Sequence, residues 1–83
     1  MSLEPSSLVL STVKKAEDSN AWIVQWYDAT GDGATARLKL NRNPKRVVKS
    51  NFLEDDGDQI PFSGNSVLVP TRKNGIVTLK VSF

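Results

Sequence analysis

The sequence predicts an all-β chain, a small antiparallel β-sandwich of about seven strands, immunoglobulin-like in general architecture. Three observations predict it. Ala21-Trp22-Ile23-Val24-Gln25-Trp26-Tyr27-Asp28 is rich in aromatic and β-branched residues, and Thr30-Gly31-Asp32-Gly33 follows as a turn. Ala34 to Leu40 then alternates small or apolar residues with polar ones, the period of a half-buried strand. Turn signals recur about every 8–12 residues, the spacing of a sandwich or barrel, and no segment sustains a 3.6-residue period.

The first strand spans Ser7 to Lys15. Leu8, Leu10 and Thr12 share one face, and Val9, Ser11 and Val13 the other. Both faces begin apolar, so the strand is either covered on both sides or changes its exposed face near Lys14 and Lys15. Glu17 to Asn20 turns into the second strand, in which Trp22, Val24 and Trp26 take the core side and Ile23, Gln25 and Tyr27 the opposite side. In the third strand Ala34, Ala36, Leu38 and Leu40 point inward, leaving Thr35, Arg37 and Lys39 in water. Asn41-Arg42-Asn43-Pro44 interrupts the pattern. Arg46 to Leu53 forms strand four, with Val48 and one of Phe52 or Leu53 inward. The acidic segment Glu54 to Asp58 turns into a short fifth strand containing Ile60 and Phe62, confined to an edge by Pro61. Ser63-Gly64-Asn65 turns into Ser66–Val69. Asn74-Gly75 carries the signature of a type I′ hairpin. Ile76 to Phe83 is the last strand, with Val77, Leu79, Val81 and Phe83 on one face. Residues 1–5 read as an expression leader or linker, and 6–83 as a single domain.

Composition narrows the chemistry. A chain of 83 residues buries only about 60–65% of its unfolded surface, so the core is thin. It contains neither cysteine nor histidine. Disulfides, thiolate nucleophiles and the commonest general base and metal ligand are therefore absent from it. A net charge of +2, from 11 basic and 9 acidic residues, is too small to imply nucleic acid. No apolar run approaches a membrane span. The lack of cysteine and of Asn-x-Ser/Thr sequons points to a cytoplasmic, bacterial setting.

Several pieces carry a family resemblance by their order and spacing. Leu8-Val9-Leu10-Ser11-Thr12-Val13-Lys14-Lys15 is followed by the acidic Glu17-Asp18, Trp26-Tyr27-Asp28 by Thr30-Gly31, and then comes Ala36-Arg37-Leu38-Lys39-Leu40. Asn51-Phe52-Leu53-Glu54, Pro70 and Gly75-Ile76-Val77-Thr78-Leu79-Lys80-Val81 complete the set. Together, over roughly residues 6 to 82, they resemble the final β-sandwich domain of glycoside hydrolase family 38, the α-mannosidases. Two departures stand out. Gln25 replaces an arginine usual before the strand-two aromatic, and Thr71-Arg72-Lys73-Asn74 replaces an aromatic-acidic pair after the closing proline. The resemblance implies a C-terminal piece of a larger enzyme whose zinc ion and carboxylate nucleophile sit in a distant N-terminal domain. No catalytic, cofactor-binding or metal residue carries over to this chain.

Three constellations remain. Trp22, Trp26 and Tyr27 could form a sugar-stacking platform, but parity places both tryptophans on the core side, where large aromatics dominate small domains. The expected core is Trp22, Val24, Trp26, Leu38, Leu40, Leu79 and Val81, and the expected contacts with a neighbouring domain are Ile23 and Tyr27. Arg37, Lys39, Arg42, Lys45, Arg46 and Lys49 could form a phosphate-binding stripe. Without interleaved aromatics they read as a solvated face or an edge guarded by charge. Glu54, Asp55, Asp56 and Asp58 lack the spacing of a calcium loop, and Glu54 and Asp58 lack the desolvation an acid–base pair needs. The expected function is a non-catalytic accessory domain packing against the remaining domains of an α-mannosidase-like enzyme. Carbohydrate would be met only through that enzyme, and nucleic acid and membrane not at all. A free-standing carbohydrate-binding module and a generic protein-interaction domain are the alternatives.

Overall fold

The computed structural model describes residues 1–15, 20–50 and 57–83. Eight strands form two antiparallel sheets of four. In chain order they are β1 (Ser2–Glu4), β2 (Leu8–Lys15), β3 (Trp22–Asp28), β4 (Ala34–Lys39), β5 (Arg46–Lys49), β6 (Phe62–Ser63), β7 (Ser66–Thr71) and β8 (Ile76–Ser82). One sheet runs β1-β4-β7-β6 and the other β2-β3-β8-β5. The expected all-β sandwich is present, with one strand more than the sequence suggested.

The additional strand is β1. Residues 2–4, set aside as leader, pair with β4 through Ser2↔Lys39, Leu3↔Leu38 and Glu4↔Arg37. Leu3 packs against the core, and the N-terminal ammonium donates to Asn41 Oδ1 at 2.6 Å.

The core lies between the sheets. Val24 and Trp26 of β3 and Leu79 and Val81 of β8 meet Ala36 and Leu38 of β4 and Val67 and Val69 of β7, with Leu8, Leu40 and Val47 at the margins. Alternation delivers these residues to one side of each sheet, and their fully apolar character excludes water from the gap. Trp26 is 0% exposed, and its indole N–H donates to Thr71 Oγ1 at 3.0 Å, so its one polar atom is satisfied inside the core.

Strand β2 resolves its own ambiguity. Its pairing with β3 slips by one residue between Leu10 and Thr12, so Leu10 opposes Trp26, Thr12 opposes Gln25 and Val13 opposes Val24. Ser11 is the extra residue. The bulge moves Val13 onto the core-facing side with Leu8 and Leu10, where strict alternation placed it opposite them.

Strand β5 ends at Lys49, short of the expected Leu53, and Phe52 and Leu53 lie outside the described residues. Val47, not Val48, points into the core, because Val47 opposes Val81 whereas Val48 opposes Lys80. Val48 is buried all the same, on the outer side of the sheet. Residues 57–60 run back along β5. Gly57 N–H donates to Lys49 O, Lys49 N–H to Asp58 O and Ile60 N–H to Val47 O, at 2.7–2.9 Å. Ile60 therefore borders one sheet, whereas Phe62 pairs with Val67 in the other. Pro61 sits where the chain changes sheets.

The Asn74-Gly75 turn also differs from expectation. Asn74 adopts φ 54°, but Gly75 is not among the positive-φ residues, and a type I′ turn needs both. The turn, closed by Gly75 N–H to Arg72 O at 2.8 Å, joins β7 to β8 across the two sheets and is not a hairpin within one.

Candidate docking surface

The loops at one end of the sandwich are gathered by a single carboxylate. Asp28, at the end of β3, is buried. Its Oδ1 accepts from the Thr30 N–H and the Thr30 hydroxyl, both at 3.1 Å. Its Oδ2 accepts from Gly33 N–H at 2.8 Å and Asn74 N–H at 3.1 Å. One side chain thus ties the β3–β4 loop to the β7–β8 loop. Gly33 sits at φ 72°, a conformation that L side chains rarely adopt, and a Cβ there would make a tight 3.1 Å contact with Thr71 O. The Gly33 amide, with those of Asn74 and Thr30, outweighs desolvation and lowers the Asp28 pKa to about 2. The acidic residue after the strand-two aromatics is therefore a structural pin.

A pH dependence follows. Unfolded, this carboxyl titrates near its ordinary value of 3.8. Its folded pKa is the lower, so its contribution to stability is complete above the unfolded value and is lost as pH falls toward about 2. Melting curves across that window are expected to fall more steeply for the native chain than for Asp28→Asn, whose amide does not titrate. Parallel curves for the two would show that Asp28 is not the pin.

The outer side of the β2-β3-β8-β5 sheet divides into two halves. In the half nearer the Asp28 loops, Val9, Tyr27 and Ile76 stand in register across three strands and are all exposed, Tyr27 at 39% and Ile76 at 66%. Below them Gln25 Nε2 donates to Thr78 Oγ1 at 3.1 Å, and the Ser11 hydroxyl donates to Gln25. Gln25, standing where the resemblance has arginine, closes a neutral network with its neighbours. In the far half Ile23 is only 4% exposed and clusters with Ala21. It faces away from the core as expected, yet it is not available as an interdomain contact. Lys14 and Lys80 flank it on the neighbouring strands, with Val48 beyond Lys80, and long lysine stems cover such positions well. Tyr27 keeps its expected exposure; Ile23 does not.

Trp22 departs from expectation in the other direction. It lies on the core-facing side but is 38% exposed at the end of the sandwich. There Met1, Leu10, Val13, Trp22, Asn41, Arg42 and Phe83 line a cleft of about 390 Å³. The Arg42 guanidinium carbon lies 4.8 Å from the centre of the Phe83 ring. With Trp26 wholly buried, the two tryptophans do not form a shared platform. Only the position of Trp22 at the end of β3 could have hinted at this. The remaining expected core residues, Val24, Trp26, Leu38, Leu40, Leu79 and Val81, are all buried.

The basic residues are dispersed. Arg37 and Lys39 lie on the outer side of β4, Arg46 and Lys49 on β5, and Arg42 against Phe83. Of the acidic run, Glu54, Asp55 and Asp56 lie outside the described residues. Among the described residues no three carboxylates gather as a metal-ligand set. Leu68, opposite Arg37 on the other sheet, is also exposed and lines a shallow groove with Pro61 and the exposed Phe62.

Two packed sheets, an exposed apolar row and a carboxylate that pins two loops define a small β-sandwich domain. The family model of the glycosyl hydrolases family 38 C-terminal beta sandwich domain matches residues 7–81, and the chain belongs to that family. No curated protein and no solved structure matches the chain significantly.

Proposed function

We propose that this chain is the non-catalytic accessory domain of an α-mannosidase-like glycoside hydrolase, and that it docks on the other domains of that enzyme and stabilises them. The exposed row Val9-Tyr27-Ile76 carries the reading. Three apolar side chains aligned on one sheet face, above a satisfied polar row, suit a neighbouring protein surface. Any zinc in such an enzyme would draw its ligands from other domains, because this chain offers no histidine or cysteine. A cytoplasmic, bacterial setting accompanies the proposal.

Tyr27→Asp tests it. The substitution is expected to leave the melting temperature of the chain alone nearly unchanged, since Tyr27 is exposed, and to lower that of the full enzyme by a few degrees with little change in kcat. The chain alone is expected to release no product from aryl α-mannosides, with or without added zinc. Equal melting of native and Tyr27→Asp enzyme would remove the row from the interface.

A further inference from the structure

The Asn74-Gly75 dipeptide between β7 and β8 is gripped from both ends by one residue. The Asn74 N–H donates to Asp28 Oδ2 at 3.1 Å, and the Asp28 N–H donates to Gly75 O at 3.0 Å. Between these contacts the Gly75 N–H donates to Arg72 O at 2.8 Å. Asn74 itself is exposed and holds φ 54°, in the left-handed region. Its carboxamide lies beside Gly31 of the β3–β4 loop, where a Cβ would stand 3.3 Å from Asn74 Oδ1. No other asparagine in the sequence precedes a glycine.

That pair of residues carries a reaction of its own. The backbone nitrogen after an asparagine can attack the side-chain carbonyl carbon, and a following glycine puts no side chain in the way. The Gly75 nitrogen gives up its proton and bonds to Asn74 Cγ. The Cγ–Nδ2 bond breaks, ammonia leaves, and a cyclic succinimide remains. Water then opens the ring at either carbonyl, giving aspartate or isoaspartate. Water is the one co-reactant. The native turn opposes the first step where it must begin. The proton that the nucleophile has to lose is bonded to Arg72 O, and Asp28 holds the backbone on either side of the peptide plane that has to turn.

We propose that Asn74 is a self-modifying deamidation site that the Asp28 pin keeps latent, so that the reaction proceeds from states in which the pin is open. The change is one-way. Isoaspartate adds a backbone carbon between the Asn74 N–H and Gly75 O, which no longer match the spacing of the two Asp28 contacts. Either product also puts a negative charge on the residue whose amide the Asp28 carboxylate holds. Modification therefore loosens the end of the sandwich that Asp28 gathers. The proposal concerns the chain itself and does not depend on what the chain docks on.

The test incubates the chain at mildly alkaline pH, folded in buffer or unfolded in guanidinium chloride, and maps its peptides by mass. Deamidation changes the mass, whereas isomerisation at Asp32-Gly33 or Asp56-Gly57 does not. Asn74 is expected to deamidate at least about tenfold more slowly in the folded chain. Asn74→Gly, which suits the positive φ, should remove the product and keep the fold. Asp28→Asn, confirmed as folded by circular dichroism, should recover most of the lost rate. If that variant does not fold, the native chain in guanidinium below its midpoint decides: hydrogen exchange of the Asn74 amide and deamidation should rise together. Equal rates in folded and unfolded chain would overturn the latency. An unmodified Asn74 in the unfolded chain would overturn the site. A folded Asp28→Asn that reacts at the native rate, or deamidation that does not follow exchange of the Asn74 amide, would overturn the role of the pin.

Discussion

Trp26→Ala is expected to destabilise the chain by about 3–5 kcal/mol, the range for removing a large aromatic from a packed core. Two losses combine. The indole is wholly enclosed in the core between the two sheets, so its removal opens a void there. It also leaves the Thr71 hydroxyl without the donor it now accepts from. Domains of this size hold stabilities near the lower end of about 5–15 kcal/mol, so the variant is expected to be largely unfolded at physiological temperature. Trp22→Ala, by contrast, should cost less than about 1.5 kcal/mol, because its ring already meets water. Urea midpoints for the two variants provide the measurement. Equal midpoints would mean that the two tryptophans have equivalent environments, contrary to the structure.

Ile23→Ala is expected to cost about 2–4 kcal/mol in the chain alone. The residue lies on the outer side of its sheet, where a substitution ordinarily changes stability by less than about 0.5 kcal/mol. Its 4% exposure, beside Ala21 and between Lys14 and Lys80, makes it a second, smaller core. An unchanged urea midpoint would return Ile23 to the surface and restore it as an interdomain contact.

Much of this arrangement was legible in the residues. Alternation in Ala34–Leu40 and Ile76–Phe83 placed Leu38, Leu40, Leu79 and Val81 correctly, because a half-buried strand leaves a period of two that a helix cannot imitate. Parity in β3 correctly separated Val24 and Trp26 from Ile23 and Tyr27. Parity states a side of the sheet, however, and not what covers that side. Trp22 shares a face with Trp26 yet reaches past the end of the opposing sheet. Ile23 shares a face with Tyr27 yet is buried beside Ala21. The bulge at Ser11 left a trace, since the strand read as apolar on both faces, but alternation alone could not locate the extra residue. The Asn74-Gly75 signal marked a real turn. Whether such a turn joins neighbouring strands or crosses between sheets depends on where the strands are paired.

The sequence by itself determined the class of the fold, the inward side of three strands, the family, and the absence of histidine and cysteine chemistry. These follow from local rules, periodicity and residue identity, which need no knowledge of distant partners. Only the tertiary structure decided that residues 2–4 complete a sheet, that Val47 rather than Val48 enters the core, and that Asp28 ties its own loop to Asn74, 46 residues further on. It alone decided which apolar residues remain open to a partner. Each of these depends on register between strands far apart in the chain, and a shift of one residue exchanges the two faces of a strand.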